Sequence, residues 1–370
     1  MAKIIGAKKI TISCKADRYL CEGDIVRLGN GDLLTVFCDT RGLIHVDFDD
    51  IFLARSQDNG MTWHESDIVT VWKSDGYNGG NNPCISKLSD GTLLIYFLVN
   101  SFDGGQGIFY DHGPQSNLYS LRECEGCFFL RSNDDGRTWS APYKANTAPM
   151  RWGQPADGLV EMPDGTLYLA MSGLHNGPWT RQNSDDLWRS FLMRSDDKGL
   201  HWEYYSTIAY DPAKIISFHE PGLARAANGT LVCMMRSEHA PRRRHGHLWI
   251  SFSNNNGEWW TPPQPTNIWG YPADLLTLAD GRMLAAYSHR RDPYGLRGCV
   301  SRDGLTWDAK DEFVIIDGGD DKKRTTGAWW HIGYPASCQL ADGSIITVAH
   351  EWTQDAEPFV QYMFAARYSL

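Results

Sequence analysis

SNDDGRTW, residues 132–139, is one of five related short stretches, with SQDNGMTW from Ser56, SDDKGLHW from Ser195, SNNNGEWW from Ser253 and the shortened SRDGLTW from Ser301. The shared pattern is Ser-x-Asp-x-Gly-x-x-Trp, with Asn in place of Asp in the fourth copy. Asp and Gly suit a tight hairpin turn, and the trailing Trp is expected to fold back on the sheet. Apolar runs such as DIFLAR and GCFFLR precede the stretches and read as strands. A second unit alternates with the first: an extended segment, an Asp-Gly or Asn-Gly turn, then an apolar strand. Its six copies include EGDIVRLGNGDLLTVF and EPGLARAANGTLVCMM. Each pair of units supplies about four strands.

Repetition along the whole chain with no linker predicts one all-β domain over residues 1–370, a six-bladed β-propeller of four-stranded antiparallel blades with these hairpins. Two stacked sandwiches fit the continuous repeat less well. The last sheet lacks the Trp hairpin. VQYMFAARYSL at the C-terminus and KKITISCK near the N-terminus are expected to complete it and close the ring.

Composition agrees. Of 370 residues 42% are hydrophobic and 12% aromatic, with 15 Trp and 36 Gly, as many short strands and tight turns require. A formal charge of −10 argues against a nucleic-acid partner. No apolar run is long enough to span a membrane, and the N-terminus has no signal-peptide pattern. The 9 scattered cysteines do not form a disulfide framework, and CEGC (124–127) has no second pair to make a zinc site. The expectation is a reduced cytoplasmic protein, or a secreted one whose leader has been removed, without cofactor or metal and of undetermined oligomeric state.

In such a ring the first strand of each blade lines the axis. Four residues stand nine positions before a turn glycine: Glu22, Asn82, Glu220 and Tyr334; Gln154 and Tyr271 occupy the matching places before proline in the other two copies. Two carboxylates, two amides and two phenols converging on one axis predict a polar pocket.

The hairpins resemble the Asp-box, or BNR, repeats of the sialidase (neuraminidase) superfamily. That resemblance implies a carbohydrate substrate and an exo-acting, retaining glycoside hydrolase with a tyrosine nucleophile. YPASCQLADG is similar to the family's nucleophile segment and puts Tyr334 in that role. EPGLARAANGTLVCMMR is similar to its glutamate and arginine pair, making Glu220 the base and Arg236 a ligand of the substrate carboxylate. A further arginine before the last hairpin is matched by Arg297, with Arg290 as rival. The acid/base aspartate falls on Asp47, with Asp49 and Asp50 close behind. Asn82, Gln154, Tyr271, His219 and His331 complete the expected substrate contacts, and His112 is a further proton-transfer candidate.

The chain departs from the family at one place. The first arginine of the family's carboxylate trio has no counterpart, and Cys21 and Glu22 stand there; Arg18 and Arg41 are the nearby cations. The departure opens two alternatives: a uronic-acid-directed propeller lyase or hydrolase, and a carbohydrate-binding propeller without chemistry.

Overall fold

The computed structural model describes residues 3–5, 7–15, 18–41, 49–102, 121–175, 187–239, 244–319, 332–352 and 361–370. Asp47, His112 and His331 lie outside them.

Each Ser-Asp hairpin is built by the side chains its sequence names. Ser56 Oγ donates to Asp58 Oδ1 (2.8 Å) and accepts the Gly60 N–H (2.9 Å), while Asp58 Oδ1 accepts the Thr62 N–H (2.9 Å). The Trp63 indole N–H then returns to the Gly60 carbonyl (3.2 Å). In the fourth copy the Asn255 amide oxygen accepts from Ser253 (2.8 Å) and from the Trp259 N–H (3.1 Å), so Asn does the acceptor's work of Asp. The glycine is required twice over. Gly60 has φ +80°, and a Cβ there would lie 2.1 Å from Ile346 Cδ1, on the strand Ile345–Trp352.

The strands form a propeller without α-helices among the described residues. Four sheets are separate, each opening on an inner strand: Asn78–Lys87, Met150–Glu161, Ile216–Arg225 or Tyr271–Thr277. Two of these sheets have four strands and two have five. The fifth strand of one is Lys3–Ile4, which pairs in parallel with Glu312–Gly319 and was not foreseen. The remainder is one eight-stranded mixed sheet holding two inner strands, Arg18–Arg27 and Ile332–Gln339. The described strands thus form four separate blades and one mixed sheet, where six separate blades were expected. Gln361 of the last strand, Gln361–Tyr368, pairs in parallel with Tyr19 and joins the two meanders at a single residue pair. Lys8–Ser13 does pair with Gln361–Tyr368, antiparallel, and closes the last meander.

The core is distributed in apolar layers between facing sheets. One layer packs Leu20, Phe37 and Trp63 against Ile346 and Val348; the next packs Val36 and Ile51 against Ile95 and Phe97. Inner strands from successive sheets lie side by side, and the last lies against the first, which closes the ring around an axial cavity.

Each inner strand is kinked near its start. The register slips between Cys21 and Asp24, Asn81 and Cys84, His219 and Gly222, and Gly333 and Ala336. Inside those bulges Glu22, Asn82, Glu220 and Tyr334 all have positive φ, +50°, +49°, +45° and +49°. For non-glycine residues this left-handed conformation is unfavourable and clusters at functional positions. Here it points the four side chains at the axis from four different inner strands.

Replacing Gly60 by Ala should lower stability by about 1–3 kcal/mol. Gly29→Ala, where a Cβ meets nothing within 4 Å, should be near neutral. Thermal unfolding of the two variants side by side checks this, and equal melting temperatures would refute the close-approach argument.

Candidate active site

The rim residues meet in two groups. In the first, the Tyr334 hydroxyl donates to Glu220 Oε1 at 2.7 Å, and Arg236 Nη1 donates to both Glu220 oxygens at 3.0 and 2.8 Å. Arg236 reaches Glu220 because it lies opposite His219 across the bulge, on the second strand Leu231–His239. Its Nη2 donates to Glu238, two residues on along the same strand face. Tyr271 is buried beneath two guanidinium groups, Arg236 and Arg290, each 5.0 Å from its ring. Arg290 also lies 5.4 Å from the Tyr334 ring.

In the second group Glu22 Oε2 accepts the Asn82 N–H (2.8 Å), and the Asn82 amide oxygen accepts from Gln154 Nε2 (3.1 Å). The Glu22 N–H donates to His350 Nδ1 (3.1 Å), and the His350 ring stacks on Tyr334 at 5.8 Å. His350 thus joins the two groups. His219 Nε2 lies 3.9 Å from Glu238, and its ring continues an aromatic run through Trp188 to Trp152.

Arg297 is not part of this assembly. It stands on the third strand, Tyr294–Ser301, where it pairs with Glu312, and its Nη2 donates to the Pro293 carbonyl (3.3 Å). Arg290, directly after the strand Met283–His289, lies instead beside Tyr271 and Tyr334. Arg290 is 6% exposed; its Nε donates to the Ile332 carbonyl (3.1 Å), while its Nη2 is buried without a hydrogen-bond partner among the described residues. Gly333 makes room for it, since a Cβ there would lie 2.2 Å from Nη2. Arg18 does not make good the missing arginine, because it pairs with buried Asp39 (3.1 Å). Of the aspartates near Asp47, Asp50 is buried and accepts the Ser74 N–H at 2.8 Å.

The electrostatics divide the hydroxyl–carboxylate pair. Burial would raise the Glu220 carboxyl, but the Arg236 charge and the hydrogen bonds from Tyr334 and Arg236 outweigh it and leave the group below its ordinary value. Burial pushes the Tyr334 phenol well above its ordinary value, and the charges of Glu220 and Glu22 push further than Arg236 and Arg290 pull back. The empty site therefore holds a neutral phenol hydrogen-bonded to an ionised carboxylate.

Glu238 and His350 were missed by sequence reasoning. Glu238 had a signal, the period-2 spacing from Arg236. His350 lies opposite Gly333, the residue before Tyr334, as Arg236 lies opposite the residue before Glu220. That register equivalence would have found it.

Below the rim, Asp157 and Asp274 line the same axial cavity. Burial raises both carboxyls, and Asp274, repelled by Asp157, lies well above its ordinary value. The native state then binds more protons than the unfolded chain between the unfolded carboxylate pKa, about 3.9, and the raised folded one. This contribution to stability falls as pH rises through that window.

The site thus combines a buried phenol, an ionised carboxylate and two guanidinium groups at the mouth of a β-propeller. Residues 46–347 match the BNR repeat-like domain, and the chain belongs to that family. It is similar to a sialidase of Bacteroides fragilis (strain YCH46), 23% identical over 328 residues that cover 80% of this chain and 55% of the relative. The chain thus spans little more than half the length of that relative. Among solved structures, a protein of unknown function from Dyadobacter fermentans DSM 18053 superposes with a TM-score of 0.79 at 20% identity, covering 99% of this chain and 100% of that one. The Hadza microbial sialidase Hz136 superposes with a TM-score of 0.68 at 18% identity, covering 95% and 66%. At these identities the structural likeness establishes the shared fold.

Asp274→Asn keeps a donor toward Asp157 without the ionisation. Its stability gain over the wild type should grow as pH rises from 4 to 7, a window set by the raised carboxyl. Calorimetric melting at several pH values tests this; a gain independent of pH would show that Asp274 ionises alike in folded and unfolded chains.

Proposed function

We propose that this protein is a sialidase-like glycoside hydrolase, exo-acting and retaining, on a terminal sugar that carries an acidic group. The observation that carries the reading is the Tyr334–Glu220 hydrogen bond of 2.7 Å, with Arg236 holding both oxygens of Glu220. In this reading the eight-stranded sheet counts as two blades joined at Tyr19 and Gln361, which makes one six-bladed domain.

The chemistry follows from the charges. A carboxylate nucleophile approaching an anomeric carbon that bears a carboxylate meets like-charge repulsion, whereas a phenol does not. Tyr334 is neutral at rest, so its proton passes to Glu220 as the oxygen attacks. Because Glu220 is a weakened base and Tyr334 a weakened acid, transfer runs together with C–O bond formation and no free phenolate accumulates. The glycosidic oxygen leaves with a proton from the acid/base group, for which Asp47 is the candidate. Water then attacks the tyrosyl–sugar bond, that same group taking its proton, and Tyr334 recovers its own from Glu220. Arg290, with its unpartnered Nη2, is the donor awaiting an anionic oxygen, and Arg236 flanks it across Tyr271.

One observation favours a second reading. Glu22, not an arginine, faces the axis from its inner strand, which weakens binding of a carboxylate and suits a propeller that holds sugars without cleaving them.

A panel of fluorogenic terminal glycosides, a sialoside and a uronide among them, should reveal a substrate that is turned over. On that substrate Tyr334→Phe should lower kcat on the order of 10³-fold or more. Binding of glycans without turnover of any would instead support the second reading. On the same substrate Arg290→Ala should reduce kcat/KM about 10- to 100-fold, the worth of one charge-assisted contact, while Arg297→Ala should change it little. The reverse ranking would return the anion-binding role to Arg297.

A further inference from the structure

The strand pair that opens at Glu22 carries two thiols where its counterparts carry other groups. Cys38 stands opposite Cys21, the residue before Glu22, just as Arg236 stands opposite the residue before Glu220. Both cysteines pack in the apolar layer that includes Val36, Ile51 and Phe97. Cys21, Glu22 and Cys38 are 1%, 6% and 0% exposed. One ligand atom from each, two sulfurs and a carboxylate oxygen, lie within 4.8 Å of one another. Cys38 Sγ is 3.9 Å from Glu22 Oε2 and 3.7 Å from the Gly80 carbonyl.

We propose that Cys21, Cys38 and Glu22 form a binding site for a thiophilic divalent cation of the zinc class. Zinc takes sulfur at about 2.3 Å and carboxylate oxygen at about 2.0–2.2 Å, so tetrahedral ligands sit roughly 3.5–3.8 Å apart. The three donors need to close by no more than about 1 Å, which side-chain rotation can supply. Two sulfurs select zinc, cadmium or copper(I) over magnesium and calcium, whose preference is for oxygen. Glu22 sits on the wall of the axial cavity, so an ion has a route in through the mouth of the propeller. Three protein ligands leave a fourth position for water or a substrate oxygen.

Binding is balanced by proton release. Each thiol gives up its proton to solvent as its sulfur joins the ion, and the carboxylate needs none. Without the cation, Cys38 is hydrogen-bonded to Glu22 and to Gly80. Affinity should therefore climb with pH, approaching about 100-fold per unit below the thiol pKa values when both protons are lost. The site shares Glu22 with the rim, but its ligands can be tested without any substrate.

The experiment is a Cd²⁺ titration of the reduced, metal-free full chain, followed by thiolate-to-cadmium charge-transfer absorption, with Zn²⁺ as competitor. One equivalent is expected to saturate the signal and Zn²⁺ to remove it. Cys21→Ser and Cys38→Ser should each abolish the stoichiometric signal. Glu22→Gln, which keeps the side-chain shape, should weaken Cd²⁺ binding at least about 10-fold. Cys233→Ser, in a different apolar layer, should bind as the wild type does. Circular dichroism and melting of each variant establish that it is folded. The assignment is overturned if the wild type shows no saturable signal, if folded Cys38→Ser retains it, or if mass analysis finds Cys21 and Cys38 joined as a disulfide in protein purified without reductant.

Discussion

The left-handed kink at the head of the inner strands is the constraint on which the site depends. A regular strand would send successive side chains alternately into the two flanking apolar layers. One inserted residue with positive φ breaks that alternation and leaves a side chain pointing along neither layer, toward the axis. The conformation costs of the order of 1–3 kcal/mol at each non-glycine residue, so it has to be held from outside. The Glu22 N–H is held by His350 and the Glu220 N–H by Ser172 Oγ (3.3 Å), each on the second strand of an adjacent meander. The kinks therefore tie one sheet to the next while they aim the chemistry, and rim geometry and ring closure are set together.

Charge is arranged unevenly around that rim. Glu220, Arg236 and Glu238 form a hydrogen-bonded run of alternating sign, and Arg290 lies buried beside it with one nitrogen unsatisfied. Across the axis, Glu22, Asn82 and Gln154 offer one carboxylate and two amides. A ligand with an anionic end and a hydroxyl-bearing end would match this polarity in one orientation only. Tyr334 stands at the boundary, hydrogen-bonded to one side and stacked on His350 of the other.

Much of this was legible in the chain. The Ser-Asp hairpins were readable because the hydrogen bonds that shape each turn run between residues at most four positions apart. Rim positions were readable because a fixed spacing to a turn glycine marks them. The sign of φ was hidden, since Glu22, Asn82, Glu220 and Tyr334 are not residues that announce a left-handed backbone. Choosing between Arg290 and Arg297 required knowing which of them leaves the second strand at the axis and which lies on the third strand against Glu312. Spacing to the last hairpin pointed to Arg297, which pairs with Glu312. The merging of two meanders rests on a single parallel pair, Gln361 with Tyr19, which no local pattern encodes. The Cys21–Cys38 juxtaposition was equally invisible, because the partners face each other only once register is fixed across a bulge.

The pairing of Lys8–Ser13 with Gln361–Tyr368 has a consequence for how the molecule is made. Among the described strands, Lys8–Ser13 pairs only with one that lies much further along the chain. During translation the intervening sheets can stack in order, but the seam stays open until Gln361–Tyr368 has been made. Closure is then the step with the longest loop to pay for in entropy and the slowest to find. An unsealed ring exposes strand edges in the meantime, so the ring's vulnerable interval falls between the synthesis of Gln361–Tyr368 and its capture of Lys8–Ser13.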